Sequence, residues 1–171
     1  MMYLEPGIHM ETTTGGGLMS GLKRMVGGES FFLTVFENRT SNRAKVGFSA
    51  AYPGKIMAVD LSRGTYFCQR DAYLASAHGI EVSVAFTRRL GAGFFGGEGF
   101  VLQKLSGDGL AFIHAGGFVI ERDLAAGEEL RVDTGCIVAF EESVDYDIQR
   151  VKGVKTMLFG GEGLFYAVLR G

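Results

Sequence analysis

Three Gly-Gly-Glu tripeptides, each leading into an apolar run, constrain this chain more than any other feature. Gly27-Gly28-Glu29-Ser30-Phe31-Phe32-Leu33 aligns with Gly96-Gly97-Glu98-Gly99-Phe100-Val101-Leu102 and with Gly160-Gly161-Glu162-Gly163-Leu164-Phe165-Tyr166. Their glutamates stand 69 and 64 residues apart. Glycine makes up 27 of 171 residues, so one such tripeptide would carry little information. Three at near-even spacing point to an internal repeat. A second signal runs in phase: Leu61-Ser62-Arg63-Gly64 and Leu124-Ala125-Ala126-Gly127 each open a segment that ends in another apolar run. The physical reading is one domain over residues 1–171, built from three copies of a β unit around a pseudo-threefold axis, at about 1–60, 61–123 and 124–171. The competing reading is a single Gly-rich sandwich with coincidental turns.

The apolar runs are short and rich in Val, Ile, Phe and Tyr. Strands are predicted at 30–36, 80–86, 118–122, 130–132, 137–140 and 164–169. Ser106-Gly107-Asp108-Gly109 and His114-Ala115-Gly116-Gly117 read as turns. Helical spacing is confined to Gly17–Val26, where glycines limit it to a turn or two. The fold class is therefore all-β, of sandwich, barrel or prism type.

Charge and cysteine content bound the function. Lys plus Arg is 17 against 19 acidic residues, a net charge of −2, which argues against nucleic-acid binding. No apolar run reaches the length of a membrane-spanning helix, and no secretory leader opens the chain, so a cytoplasmic location is expected. Cys68 and Cys136 form no CxxC pair; both are expected as reduced core residues.

Most of the chain from Lys23 to Gly171 also resembles an uncharacterised bacterial family related to the mitochondrial biogenesis family called "altered inheritance of mitochondria". The resemblance rests on Gly21-Leu22-Lys23-Arg24-Met25, Tyr52-Pro53-Gly54-Lys55-Ile56, Gly91-Ala92-Gly93-Phe94-Phe95-Gly96-Gly97-Glu98, Gly107-Asp108-Gly109-Leu110-Ala111-Phe112, Val132-Asp133-Thr134-Gly135, Val144-Asp145-Tyr146-Asp147 and Lys155-Thr156-Met157-Leu158-Phe159. It implies a fold like that of the tryptophan RNA-binding attenuation protein, or TRAP, a double-stranded β-helix or prism in three similar subdomains. It implies no established enzymatic activity, and an association of the mitochondrial members with inner-membrane organisation. The family extends beyond both ends seen here. The repeat agrees: the second unit runs on from Gly107 into Leu110-Ala111-Phe112-Ile113, whereas the third stops at Gly171. Three full repeats need roughly 200 residues, so the sequence is expected to be incomplete at both ends.

Motifs of known chemistry are weak. Gly91-Ala92-Gly93-Phe94-Phe95-Gly96 fits GxGxxG, but that fingerprint needs a helix after it, and a strand-like run follows. His9, His78 and His114 are far apart and form no metal-ligand pattern; His114 is expected to cap or pack a turn. There is no GxSxG. Asp145 and Asp147 share a strand face and read as a solvated edge. Glu29, Glu98 and Glu162 could converge on a cation, but Lys23, Arg24, Arg88, Arg89, Lys152 and Lys155 upstream make internal ion pairs the better reading. No catalytic residue, cofactor or metal is expected.

The apolar residues just before each Gly-Gly-Glu carry the functional expectation. Leu18 and Met19, Phe94 and Phe95, and Leu158 and Phe159 would lie at one end of a threefold body, flanked by Lys and Arg. The alternative is that they fold inward and plug that end. The expected function is a non-enzymatic scaffold or interaction protein contacting a membrane surface or protein partner, and forming a homo-oligomer. The alternative is a small-ligand binder with a pocket between subdomains.

Overall fold

The computed structural model describes residues 1–14, 32–88, 100–150 and 165–171. Among these residues the chain is all-β, with no α-helix. The strands are β1 (Tyr3–Leu4), β2 (Ile8–Thr14), β3 (Phe32–Asn38), β4 (Val46–Gly47), β5 (Gly54–Asp60), β6 (Tyr66–Gln69), β7 (Tyr73–Ser76), β8 (Glu81–Arg88), β9 (Phe100–Ser106), β10 (Leu110–Gly116), β11 (Glu129–Asp133), β12 (Ala139–Glu141), β13 (Asp145–Arg150) and β14 (Phe165–Arg170). They form five antiparallel groups: β1-β4, β2-β3, β5-β10-β7, β12-β6-β9-β8 and β11-β14-β13.

β9 explains how the core divides. It lies between β6 and β8, and its successive residues Phe100, Val101, Leu102 and Gln103 are all buried, so both of its faces are covered. Alternate side chains point to opposite faces. Phe100 and Leu102 enter a cluster with Ile137, Phe140, Ile148, Ala167 and Leu169. Leu105, on the other face, enters a cluster with Val59, Leu61, Cys68, Val82, Ala111 and Ile113. Leu102 and Leu105 are both 0% exposed, and each contributes about 1.5–3 kcal/mol on leaving water.

The chain turns corners on single turns of 3-10 helix at Leu61–Arg63, Arg70–Ala72 and Thr134–Cys136. Each starts the same way. The side chains of Asp60, Gln69 and Asp133 accept hydrogen bonds from the backbone N–H of Ser62, Asp71 and Gly135. That satisfies a donor the short helix cannot pair internally.

Three sequence expectations are corrected. Residues 118–122 form no strand; Phe118 is 91% and Ile120 77% exposed. A strand needs a ladder partner, and none of the described residues pairs with this run. His114 does not cap a turn. It lies inside β10, buried, with its ring edge-on to Tyr52 at 5.0 Å between centroids. Cys136 is exposed on its one-turn helix, whereas Cys68 is buried as expected. Asp145 and Asp147 do lie exposed on β13, at the end of its sheet.

Candidate interaction surface

Three of the antiparallel pairs are hairpins with a long connection. Residues 15–31 join β2 to β3, residues 89–99 join β8 to β9, and residues 151–164 join β13 to β14. Each connection holds one Gly-Gly-Glu. All six expected contact residues, Leu18, Met19, Phe94, Phe95, Leu158 and Phe159, fall in these connections and lie outside the described residues. So do Glu29, Glu98 and Glu162, the helical spacing at 17–26 and the GxGxxG run. That last motif lies between β8 and β9.

The described ends of the three ladders give each connection a defined root. The last register pairs are Thr14 with Phe32, Arg88 with Phe100, and Arg150 with Phe165. Each root therefore holds a phenylalanine, and two pair it with an arginine. Phe100 is buried and Phe32 is 61% exposed. Met10 and Val35 on the same hairpin as Phe32 are also exposed.

At the ladder ends away from the connections, charge dominates. On β3 and just after it, Arg39 meets Glu37 at 2.6 Å. On β14, Arg170 meets Glu129 at 3.2 Å and Asp145 at 4.0 Å. The Arg39 guanidinium holds the Glu37 carboxyl below its usual range by hydrogen bonding and charge. Arg131, then Arg170, do the same for Glu129. These pairs are exposed, so they contribute little to stability.

Among the described residues no three His, Cys, Asp or Glu side chains are grouped to hold a metal ion. Nor is any helix long and apolar enough to cross a membrane. Gln103 Oε1 is buried without a hydrogen-bond partner among the described residues. A further apolar surface went unnoticed in the sequence. Leu110 and Phe112 on β10 are exposed while Ala111 between them and Ile113 after them are buried, and Ile56 on β5 is exposed as well. The outward positions are apolar here, so the run carries no polar-out alternation that marks a surface face.

The family model for mitochondrial biogenesis AIM24 proteins matches residues 1–171. The chain belongs to the AIM24 family. One relative is an uncharacterized protein of Streptococcus pyogenes serotype M6, 28% identical over 151 residues. The match covers 87% of this chain and 59% of that protein, so the chain spans under two thirds of the relative's length. A crystal structure of a Streptococcus pyogenes protein is similar across 99% of this chain and 75% of its own, with a TM-score of 0.76 and 25% identity.

Proposed function

We propose that this AIM24 protein is a non-enzymatic scaffold of three related β units arranged about a pseudo-threefold axis like TRAP. In this reading it assembles as a homo-oligomer in the cytoplasm. It meets a membrane surface through the connections carrying Leu18, Met19, Phe94, Phe95, Leu158 and Phe159. One observation carries the reading: the ladders of the second unit recur in the third with the same register, up to a bulge after Val84 in β8 that β13 lacks. Shifted by 64 residues, Tyr66 opposite Leu105 becomes Leu130 opposite Leu169, and Gln69 opposite Leu102 becomes Asp133 opposite Tyr166. The same shift turns Glu81 opposite Ser106 into Asp145 opposite Arg170, and Val84 opposite Gln103 into Ile148 opposite Ala167. The first unit contributes β2 and β3 around its own Gly-Gly-Glu. Equivalent hairpins place equivalent connections, and these hold apolar residues near basic ones, the composition that suits an anionic lipid surface.

The test replaces Phe94 and Phe95 by Ser. Sedimentation with anionic vesicles should fall several-fold while the melting temperature stays within a few degrees. A large drop in melting temperature, with no vesicle binding by the parent protein, would mean the phenylalanines plug the body and would overturn the reading. Capture of a protein but not of vesicles would replace the membrane by a protein partner. A monomer mass in light scattering at micromolar concentration would remove the oligomer.

A further inference from the structure

Comparison of the units singles out one apolar sheet face. This inference rests on the three-unit, homo-oligomer reading above and places its contact. In the sheet β5-β10-β7, Leu110, Phe112 and His114 stand opposite Asp60, Ala58 and Ile56, and Phe112 also stands opposite Ala75. Residues opposite one another, or two apart along a strand, share a face. Ala111 and Ile113, which alternate with this set, belong to the buried cluster around Val59, so the set points away from the core. Ile56, Ala58, Leu110 and Phe112 are exposed, as is Tyr52, whose ring meets His114 edge-on. Asp60, at one corner, is the only carboxylate among these ladder positions, and none of them holds Lys or Arg. Its oxygen already accepts from the Ser62 N–H at 3.1 Å and from the Ser62 hydroxyl at 2.6 Å. β10 has a strand on each side, so the face does not arise from an unfilled place in its sheet. The repeat shows that this place faces water in the other units. Shifted back by the 69 residues between Glu98 and Glu29, Leu110, Phe112 and His114 fall on Ser41, Arg43 and Lys45, all exposed. Ala58 corresponds to Glu121, also exposed, as Leu61 does to Leu124 and Gly64 to Gly127. A seam within the chain at this place would bury those charges without partners. The apolar composition therefore belongs to the second unit alone.

We propose that the outward face of β5-β10-β7 is where two copies of this chain meet, packed sheet on sheet about a two-fold axis. The chemistry of the face selects its occupant. With its one carboxylate engaged by Ser62, the face offers nothing to a charged partner and is matched by another apolar sheet. Sheets pack face to face when their twists agree, and a second copy of the same strands has the same twist. One such face per chain makes the contact isologous: the patch meets itself, and the assembly closes at a dimer rather than growing into a ring or fibre. Phe112 lies on the middle strand, between Ala58 and Ala75. It therefore stands near the axis and meets its own copy. Ile56 and Leu110 flank it and are covered by the same contact.

The experiment makes Phe112→Asp and Phe112→Lys and follows mass by sedimentation velocity at micromolar concentration and above. The parent should sediment as a dimer. Each variant alone should fall to half the parent mass, with its melting temperature within a few degrees of the parent, since the side chain is exposed. Mixed in equal parts, the Asp and Lys variants should regain the parent mass, which only a patch that meets itself allows. Ile56→Lys, on the neighbouring strand, should halve the mass as well, and it decides the question if a Phe112 variant melts early. Parent mass retained in Phe112→Asp or in Ile56→Lys, or no recovery when the folded variants are mixed, overturns the proposal. A monomeric parent removes the homo-oligomer reading itself, whereas an oligomer that these variants leave intact removes this contact alone. Loss of anionic-vesicle sedimentation in Phe112→Asp at unchanged mass would assign the face to lipid and likewise overturn the proposal.

Discussion

Tyr66 donates its phenolic hydrogen to Glu141 Oε1 at 2.9 Å, across the ladder in which the two residues stand directly opposite. This pair ties β6 to β12. Desolvation of the hydroxyl, then the carboxylate beside it, raise the Tyr66 pKa above its ordinary value. Burial also raises Tyr73 and Tyr146. In all three the folded state favours the neutral phenol. The stability they contribute is fully present below about pH 10, the ordinary tyrosine value, and is lost as pH rises through the raised values. Ultraviolet titration of tyrosinate should show late ionisation for these three. Denaturant midpoints should fall on the alkaline side, and less steeply in Tyr66→Phe.

The two thiols should separate cleanly. Burial pushes the Cys68 thiol up to about 12, and its side chain is 0% exposed. Cys136 is exposed. The thiolate is the reactive form, so a thiol reagent at neutral pH should label one cysteine quickly and the second only on unfolding. Cys136→Ser should remove the fast phase alone.

Core and surface substitutions should differ by their place on β9 and on the unpaired run. Leu102→Ala empties a site that is 0% exposed between Ile137, Phe140 and Ala167 and should cost about 2–5 kcal/mol in denaturant unfolding. Phe118→Ser changes a side chain that is 91% exposed and should stay within about 0.5 kcal/mol of the parent.

β14 and the first three residues of β9 were legible because both are central strands with both faces covered, which makes Phe100–Leu102 and Phe165–Leu169 continuous apolar runs. β5 was harder to see. Gly54, Lys55 and Asp60 dilute it, and its place depends on pairing with β10 across 50 intervening residues or so, a non-local fact. The run at 118–122 shows the reverse error. Its composition favours a strand, but composition does not supply the neighbour that completes one. His114 looked like a turn residue because Gly116 and Gly117 follow it, yet only Gly117, at φ +69°, leaves the strand there. The expected contact residues follow from the repeat and lie outside the described residues.

Gly54 should be the most sensitive glycine of the described strands. It stands opposite Gly116 where β5 and β10 begin their ladder. A Cβ there would sit 2.0 Å from the Ala115 carbonyl oxygen and 2.5 Å from His114 Nε2. The imidazole could rotate, but it is buried against Tyr52. The carbonyl belongs to the backbone of the middle strand and cannot move without opening the ladder. Gly54→Ala should therefore splay the start of β5 from β10 and cost on the order of 1–3 kcal/mol, as overpacking does. Gly64→Ala differs: nothing lies within 4 Å of its would-be Cβ, so its cost comes only from its backbone, at φ +157° and ψ 173°, a region that L side chains rarely adopt. Chemical denaturation should place both variants below the parent, Gly54→Ala by its clash with the backbone and Gly64→Ala by backbone strain. Faster hydrogen exchange in the first should be confined at the outset to residues 54–57 and 113–116. Parent-like stability of Gly54→Ala would mean that β5 can shift away from Ala115 at no cost.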